Sequence, residues 1–88
     1  MYIILVYDVN VKRTAKMLKL CRRYLNWIQN SVFEGEISES KLDELKKLAS
    51  KILIEEDGDS LILFKSRNER WLEKEIVGHE KNKLDNMI

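Results

Sequence analysis

An 88-residue chain with 44% hydrophobic and 35% charged side chains is one domain, and it buries only roughly 60–65% of its unfolded surface, so a partner would add to its stability. No apolar run approaches the ~20 residues of a membrane span. The run Tyr2–Val6 is short for a signal-peptide core and has no basic leader, and the single Cys21 excludes an internal disulfide framework. These features point to a cytosolic, cytoplasmic protein. The net charge of +1 hides an asymmetry: residues 1–33 carry Lys12, Arg13, Lys16, Lys19, Arg22 and Arg23 against Asp8 alone, while residues 34–59 are net −5 and residues 60–88 net +1. One surface is therefore suited to a polyanion.

Residues 2–9 read as a strand, β-branched and aromatic, with Tyr2, Ile4 and Val6 on one face and Ile3, Leu5 and Tyr7 on the other. A strand apolar on both faces is covered on both. Residues 11–25 read as a helix with Ala15, Leu18, Cys21 or Arg22, and Leu25 at the helical period, capped by Asn10 or Asp8. Short strands follow at 26–29 and 31–37. In the second, Phe33 and Ile37 share a face opposite Glu34 and Glu36, and Gly35 marks a bulge. A second amphipathic helix spans 39–53 through Leu42, Leu45, Leu48, Ala49 and Ile52. Ser40 with Asp43 forms a capping box, and Ser38 is a rival cap. A charged turn at 55–59 leads to a strand at 60–65, again apolar on both faces. A polar connection ends at Trp71, a final strand is predicted at 72–77, and a polar tail closes the chain.

The order β-α-β-β-α-β is the split βαβ, ferredoxin-like α+β arrangement, here with an additional C-terminal strand. The predicted domain covers residues 1–78, and residues 79–88 form a tail suited to packing on a partner subunit. Two helices cover one face of the sheet. A second copy is the simplest cover for the other, giving a two-fold homodimer; the rival is cover by the chain's own C-terminal segment.

Asp8, at the carboxyl end of the first strand, is either a helix cap or a site. Mg²⁺ prefers octahedral oxygen ligands and is usually held by one or two carboxylates, waters and phosphates. No other acid lies near Asp8 in sequence before Glu34. Symmetry supplies the missing ligand if Asp8 of each subunit faces one Mg²⁺ (or Mn²⁺), which would orient a water for attack on phosphorus. Lys12, Lys16, Lys19 and Arg23 form a row on the first helix, with Arg13 and Arg22 beside it and no acid between. Such a row is either a solvated face or a phosphate-binding one, and it favours backbone and shape over base readout. His79 has no second His or Cys nearby, and Cys21 has no evident base.

The stretch Ile28-Gln29-Asn30-Ser31-Val32-Phe33-Glu34-Gly35, with Tyr7-Asp8-Val9 and the early Arg13, resembles the CRISPR-associated protein 2 family. Asp59-Ser60-Leu61-Ile62-Leu63-Phe64 resembles that family's fourth strand, and Gly78 with the tail to Asp85-Asn86-Met87-Ile88 resembles its C-terminus. The resemblance implies a ferredoxin-like homodimer with Asp8 of both subunits near the axis, binding a divalent ion. It implies a magnesium-dependent endonuclease acting on single-stranded RNA or double-stranded DNA in CRISPR spacer acquisition, an antiviral defence. It also implies a partnership with the CRISPR integrase subunit, for which the dimer is a DNA-binding bridge. Tyr7, Arg13, Ser31 and Phe33 become supports or nucleic-acid contacts. Some members carry an arginine where Trp27 stands. Two alternatives follow from the same resemblance: a purely architectural, non-catalytic dimer binding DNA and integrase, or a toxin-type endoribonuclease. Outside the family, a sheet-based RNA binder would need exposed aromatics such as Tyr2 and Phe33.

Overall fold

The computed structural model describes residues 1–68, 70 and 72–82. Strand β1 (Tyr2–Asp8) lies at the centre of a four-stranded sheet of order β2-β3-β1-β4, every neighbouring pair antiparallel. The others are β2 (Asn26–Gln29), β3 (Val32–Glu36) and β4 (Ser60–Ser66). Helix α1 (Thr14–Arg22), preceded by a 3₁₀ turn at Val11–Arg13, links β1 to β2, and α2 (Glu39–Ile52) links β3 to β4. Each crossover joins strands that run parallel with one strand between them. This is the expected ferredoxin-like arrangement, and β1, apolar on both faces, takes one of its two inner positions.

The register sorts the side chains. Ile3, Leu5 and Tyr7 are buried, Leu5 stands opposite Phe33 and Leu63, and Met17, Leu20 and Cys21 of α1 with Leu42, Leu45 and Ala49 of α2 complete the core. The helical stripe is thus shifted from the predicted one: Ala15 is exposed and Met17 fully buried, because residues 11–13 wind as 3₁₀ and rotate the start of α1. Phe33 is 0% exposed. Truncation to Ala should destabilise by about 3–5 kcal/mol, a large share of the ~5–15 kcal/mol typical of a domain. A fall in urea midpoint at unchanged m-value checks it.

Local chemistry sets the ends. Ser38, not Ser40, caps α2, its Oγ accepting from the Lys41 backbone N–H at 3.2 Å. Gly58 adopts φ +82°, a left-handed conformation favouring glycine, and turns the chain from a 3₁₀ turn into β4. Gly35 marks no bulge. It pairs regularly with Ile3, and a Cβ there would stand 3.3 Å from Leu25 Cδ2; the irregularity lies on β2, between Trp27 and Gln29.

The other sheet face carries Ile4 and Val6, half-buried, with Phe64 and Ile62 opposite them, 57% and 51% exposed. Residues 72–77, predicted as a final strand, make no ladder within one protomer. A strand forms only against a neighbour, and this segment instead brings the ammonium of Lys74 to the Glu34 carboxylate on the open-face side of β3. The end of the predicted tail, with Asp85, Met87 and Ile88, and Trp71 lie outside the described residues.

Candidate metal and nucleic-acid site

The site begins where β1 ends. Asn10 caps the 3₁₀ turn, its Oδ1 accepting from the Lys12 backbone N–H at 3.0 Å. Its own N–H donates to Asp59 Oδ1 at 2.8 Å. Asp59 is buried and also accepts from Arg13 Nε at 2.6 Å and from the Ile54 N–H at 3.0 Å. Arg13 Nη2 donates to Asp57 at 2.7 Å. This junction ties the β1–α1 loop to the loop before β4. Arg13, 14% exposed and paired with two carboxylates, still borders a groove with Lys12, Lys16, Lys19 and Arg22.

The Arg13 guanidinium, aided by the Ile54 and Asn10 N–H groups against the effect of burial, holds Asp59 at about 2, below its ordinary 3.8. A depressed folded value stabilises the fold above the ordinary carboxylate range and stops doing so as pH falls through about 2. Arg13→Met removes the cause. Its stability deficit should be full at neutral pH and shrink as pH falls from about 4 to 2, read from urea midpoints.

Because Asn10 caps the turn, Asp8 does not. Its carboxylate is exposed and has no hydrogen-bond or ion-pair partner among the described residues. It borders a shallow depression of about 320 Å³ lined by Tyr7, Asp8, Val9, Thr14, Asn30 and Ser31. Ser31 lies in the β2–β3 turn, where Asn30 adopts φ +46°, and its carbonyl accepts from the Tyr7 N–H at 3.2 Å. Tyr7 and Phe33 are buried, with ring centroids 6.1 Å apart, and burial pushes the Tyr7 phenol up. The exposed aromatic of the open face is Phe64, since Phe33 shares the face of Leu5 under the helices.

Among the described residues no three His, Cys, Asp or Glu side chains gather into a metal cluster. Asp8 is the one carboxylate among the residues lining the depression, and Mg²⁺ is usually held by one or two. Asp8 shares the parity of Ile4 and Val6, so its chemistry fits such an ion where a second protomer covers that face. Cys21 is fully buried and its thiol is pushed up to about 12 by desolvation, which makes it inert as a nucleophile.

Lys12, Lys16, Lys19 and Arg23 are all exposed. Lys16, Lys19 and Arg23 border a groove of about 650 Å³ between the helices, floored by Leu20, Leu48 and Ile52, and Lys51 of α2 joins them. Lys51 escaped the sequence reading because only the packing of α2 beside α1 brings it to the row. The buried Glu34 escaped it as well: it accepts from the Tyr2 hydroxyl at 2.6 Å and pairs with Lys74.

The geometry defines a small ferredoxin-like α+β protein with an exposed apolar sheet face, an acid without a partner among the described residues at the end of β1, and a basic face on α1. The model of the family CRISPR associated protein Cas2 matches residues 1–74, and the chain belongs to that family. It is 48% identical over 88 residues to the CRISPR-associated endoribonuclease Cas2 of Dictyoglomus turgidum, covering all of both chains. It is 48% identical over 93 residues to the protein of the same name from Fusobacterium nucleatum, covering all of this chain and 87% of that one. Among solved structures, a Cas2 crystal structure superposes with a TM-score of 0.80 at 41% identity, over 92% of this chain and 90% of the other. Streptococcus pyogenes Cas2 superposes with 0.71 at 30% identity, over 84% and 98%. No helix among the described residues is long and apolar enough to cross a membrane.

Proposed function

We propose that the chain is a divalent-metal-dependent endonuclease subunit of CRISPR spacer acquisition, acting as a two-fold dimer that also binds double-stranded DNA and the CRISPR integrase. The observation that carries this reading is Asp8: an exposed carboxylate without a partner among the described residues, at the end of β1, on the face whose Ile62 and Phe64 are 51% and 57% exposed. A second copy covering that face supplies the second Asp8. Two such carboxylates suit Mg²⁺ or Mn²⁺, and the ion, when bound, neutralises phosphate charge and acidifies a coordinated water. The protein's own part is to hold both carboxylates on rigid strand ends, with Ser31 and the buried Tyr7 and Phe33 shaping the depression beside them. The endoribonuclease name of the relatives supports RNA as a substrate.

Binding falls to the helical layer. Lys12, Lys16, Lys19 and Arg23, with Lys51, present phosphate partners, duplicated by symmetry. Each phosphate neutralised contributes about 0.9 to the slope of log K against log salt. Charge reversal at Lys16, Lys19 and Arg23 should weaken binding to a duplex of unrelated sequence and lower that slope by about one for each phosphate no longer neutralised. Titration at several salt concentrations checks it, and an unchanged slope would move the DNA elsewhere. The catalytic half is tested by Asp8→Ala with Mg²⁺ and with EDTA.

A further inference from the structure

Beside the β2–β3 turn, the edge strand β2 and the C-terminal segment border a cavity of about 460 Å³ whose lining includes Arg22, Asn26, Trp27, Lys74, Glu80 and Asn82. That volume lies in the range of small-molecule sites. The Trp27 ring is fixed by its indole N–H, which donates to the Asn30 carbonyl at 3.0 Å. The guanidinium of Arg22 stands over the ring, 5.6 Å from its centroid, and forms no ion pair among the described residues. Asn82 Oδ1 is buried there with no hydrogen-bond partner among the described residues, an uncommon state for a buried acceptor that a donor would relieve.

We infer that this cavity binds an unpaired nucleotide: Trp27 stacks on the base, Arg22 takes the phosphate, and Asn82 Oδ1 with Glu80 accepts hydrogen bonds from the base edge. An exposed cation–π contact is weaker than base–aromatic stacking, so the ring exchanges guanidinium for base and the freed guanidinium meets the phosphate. Lys74 is engaged by Glu34, which leaves Glu80 as the carboxylate without a partner among the described residues. Two acceptors select a base edge rich in donors, and guanine, with adjacent N–H and amino donors, fits best. The inference rests on the nucleic-acid reading above and adds a base-contacting site that the phosphate-binding row lacks.

The test uses the full chain with Trp71→Phe, so that emission comes from Trp27 alone. GMP should quench this emission and bind about tenfold more tightly than UMP, and inorganic phosphate should leave it unchanged; tenfold corresponds to about 1.4 kcal/mol. In the otherwise unaltered chain, Trp27→Leu should weaken a guanine-containing single strand about tenfold, by that same measure, without changing duplex affinity. Trp27→Phe should restore most of the loss. The Lys16, Lys19 and Arg23 reversal should spare GMP quenching, so failure of the duplex reading is separable from failure of this one. Equal quenching by GMP and phosphate, or single-strand affinity unchanged in a folded Trp27→Leu, overturns the site. Should that variant fold poorly, Glu80→Gln with Asn82→Ala decides: lost GMP preference supports the site, and unchanged preference overturns it.

Discussion

Asp8→Ala should reduce Mg²⁺-dependent cleavage by roughly a hundredfold or more, to the level seen in EDTA, while the protein stays folded and dimeric. The scale follows from the several kcal/mol that a metal ion contributes to a transition state, each ~1.4 kcal/mol being tenfold in rate. The sparing of the fold follows from the structure. Asp8 is exposed and has no partner among the described residues, so its removal leaves no buried donor unsatisfied, and stability should change by no more than about 0.5 kcal/mol. Two carboxylates meeting at a symmetry axis repel each other when no metal lies between them. The alanine dimer should therefore associate as tightly as the parent in EDTA, or more tightly. Asp8→Asn keeps the shape and loses the charge, so it should match the alanine variant in activity. Cleavage of labelled RNA and duplex DNA, with thermal melts on the same samples, separates the outcomes. Metal-dependent activity persisting in the alanine variant at more than a tenth of the parent rate would place the catalytic acid elsewhere. Lost cleavage with retained duplex and integrase binding would divide the molecule into a catalytic centre and an architectural surface.

Most of this fold was legible because β1 and β4 are apolar at both parities and the two helices have clear stripes. The choice between Ser38 and Ser40 as cap was not, since both precede the same apolar run. Arg13 concealed its ion pairs for a different reason. In sequence it extends a basic row, and its partners Asp57 and Asp59 lie 44 and 46 residues away, beyond any local pattern. Asn10 and Asp8 were equal candidates for the cap until the backbone turn set Asn10 Oδ1 against the Lys12 N–H. Trp27 illustrates the limit most plainly: its spacing says only that it sits on a strand, and the guanidinium over its ring comes from the end of the preceding helix. The strand predicted at 72–77 was a statement about pairing, and pairing is a property of what lies alongside.

Phe64→Asp should break the proposed dimer. Phe64 stands opposite Ile4, and Ile62 opposite Val6, on the face that the helices leave bare. Burying a Phe side chain is worth about 1.5–3 kcal/mol relative to exposure. In an isologous interface the substitution occurs on both sides, and each new carboxylate must also be desolvated or expelled. The combined effect should raise the dissociation constant by about a thousandfold or more, each ~1.4 kcal/mol being tenfold. Sedimentation at graded concentration measures it. Val11→Asp is the matched control, because Val11 is 85% exposed on the 3₁₀ turn rather than on a strand of the open face, and it should leave association unchanged. The protomer should survive the Phe64 change, since Phe64 is already 57% exposed within it and is absent from the core. Cleavage should then fall in step with the fraction of dimer and recover as concentration rises, which a purely structural defect would not do. A parent chain monomeric at every concentration, or a Phe64→Asp chain that dimerises with unchanged affinity, would leave Asp8 without its twin, and the metal site with it.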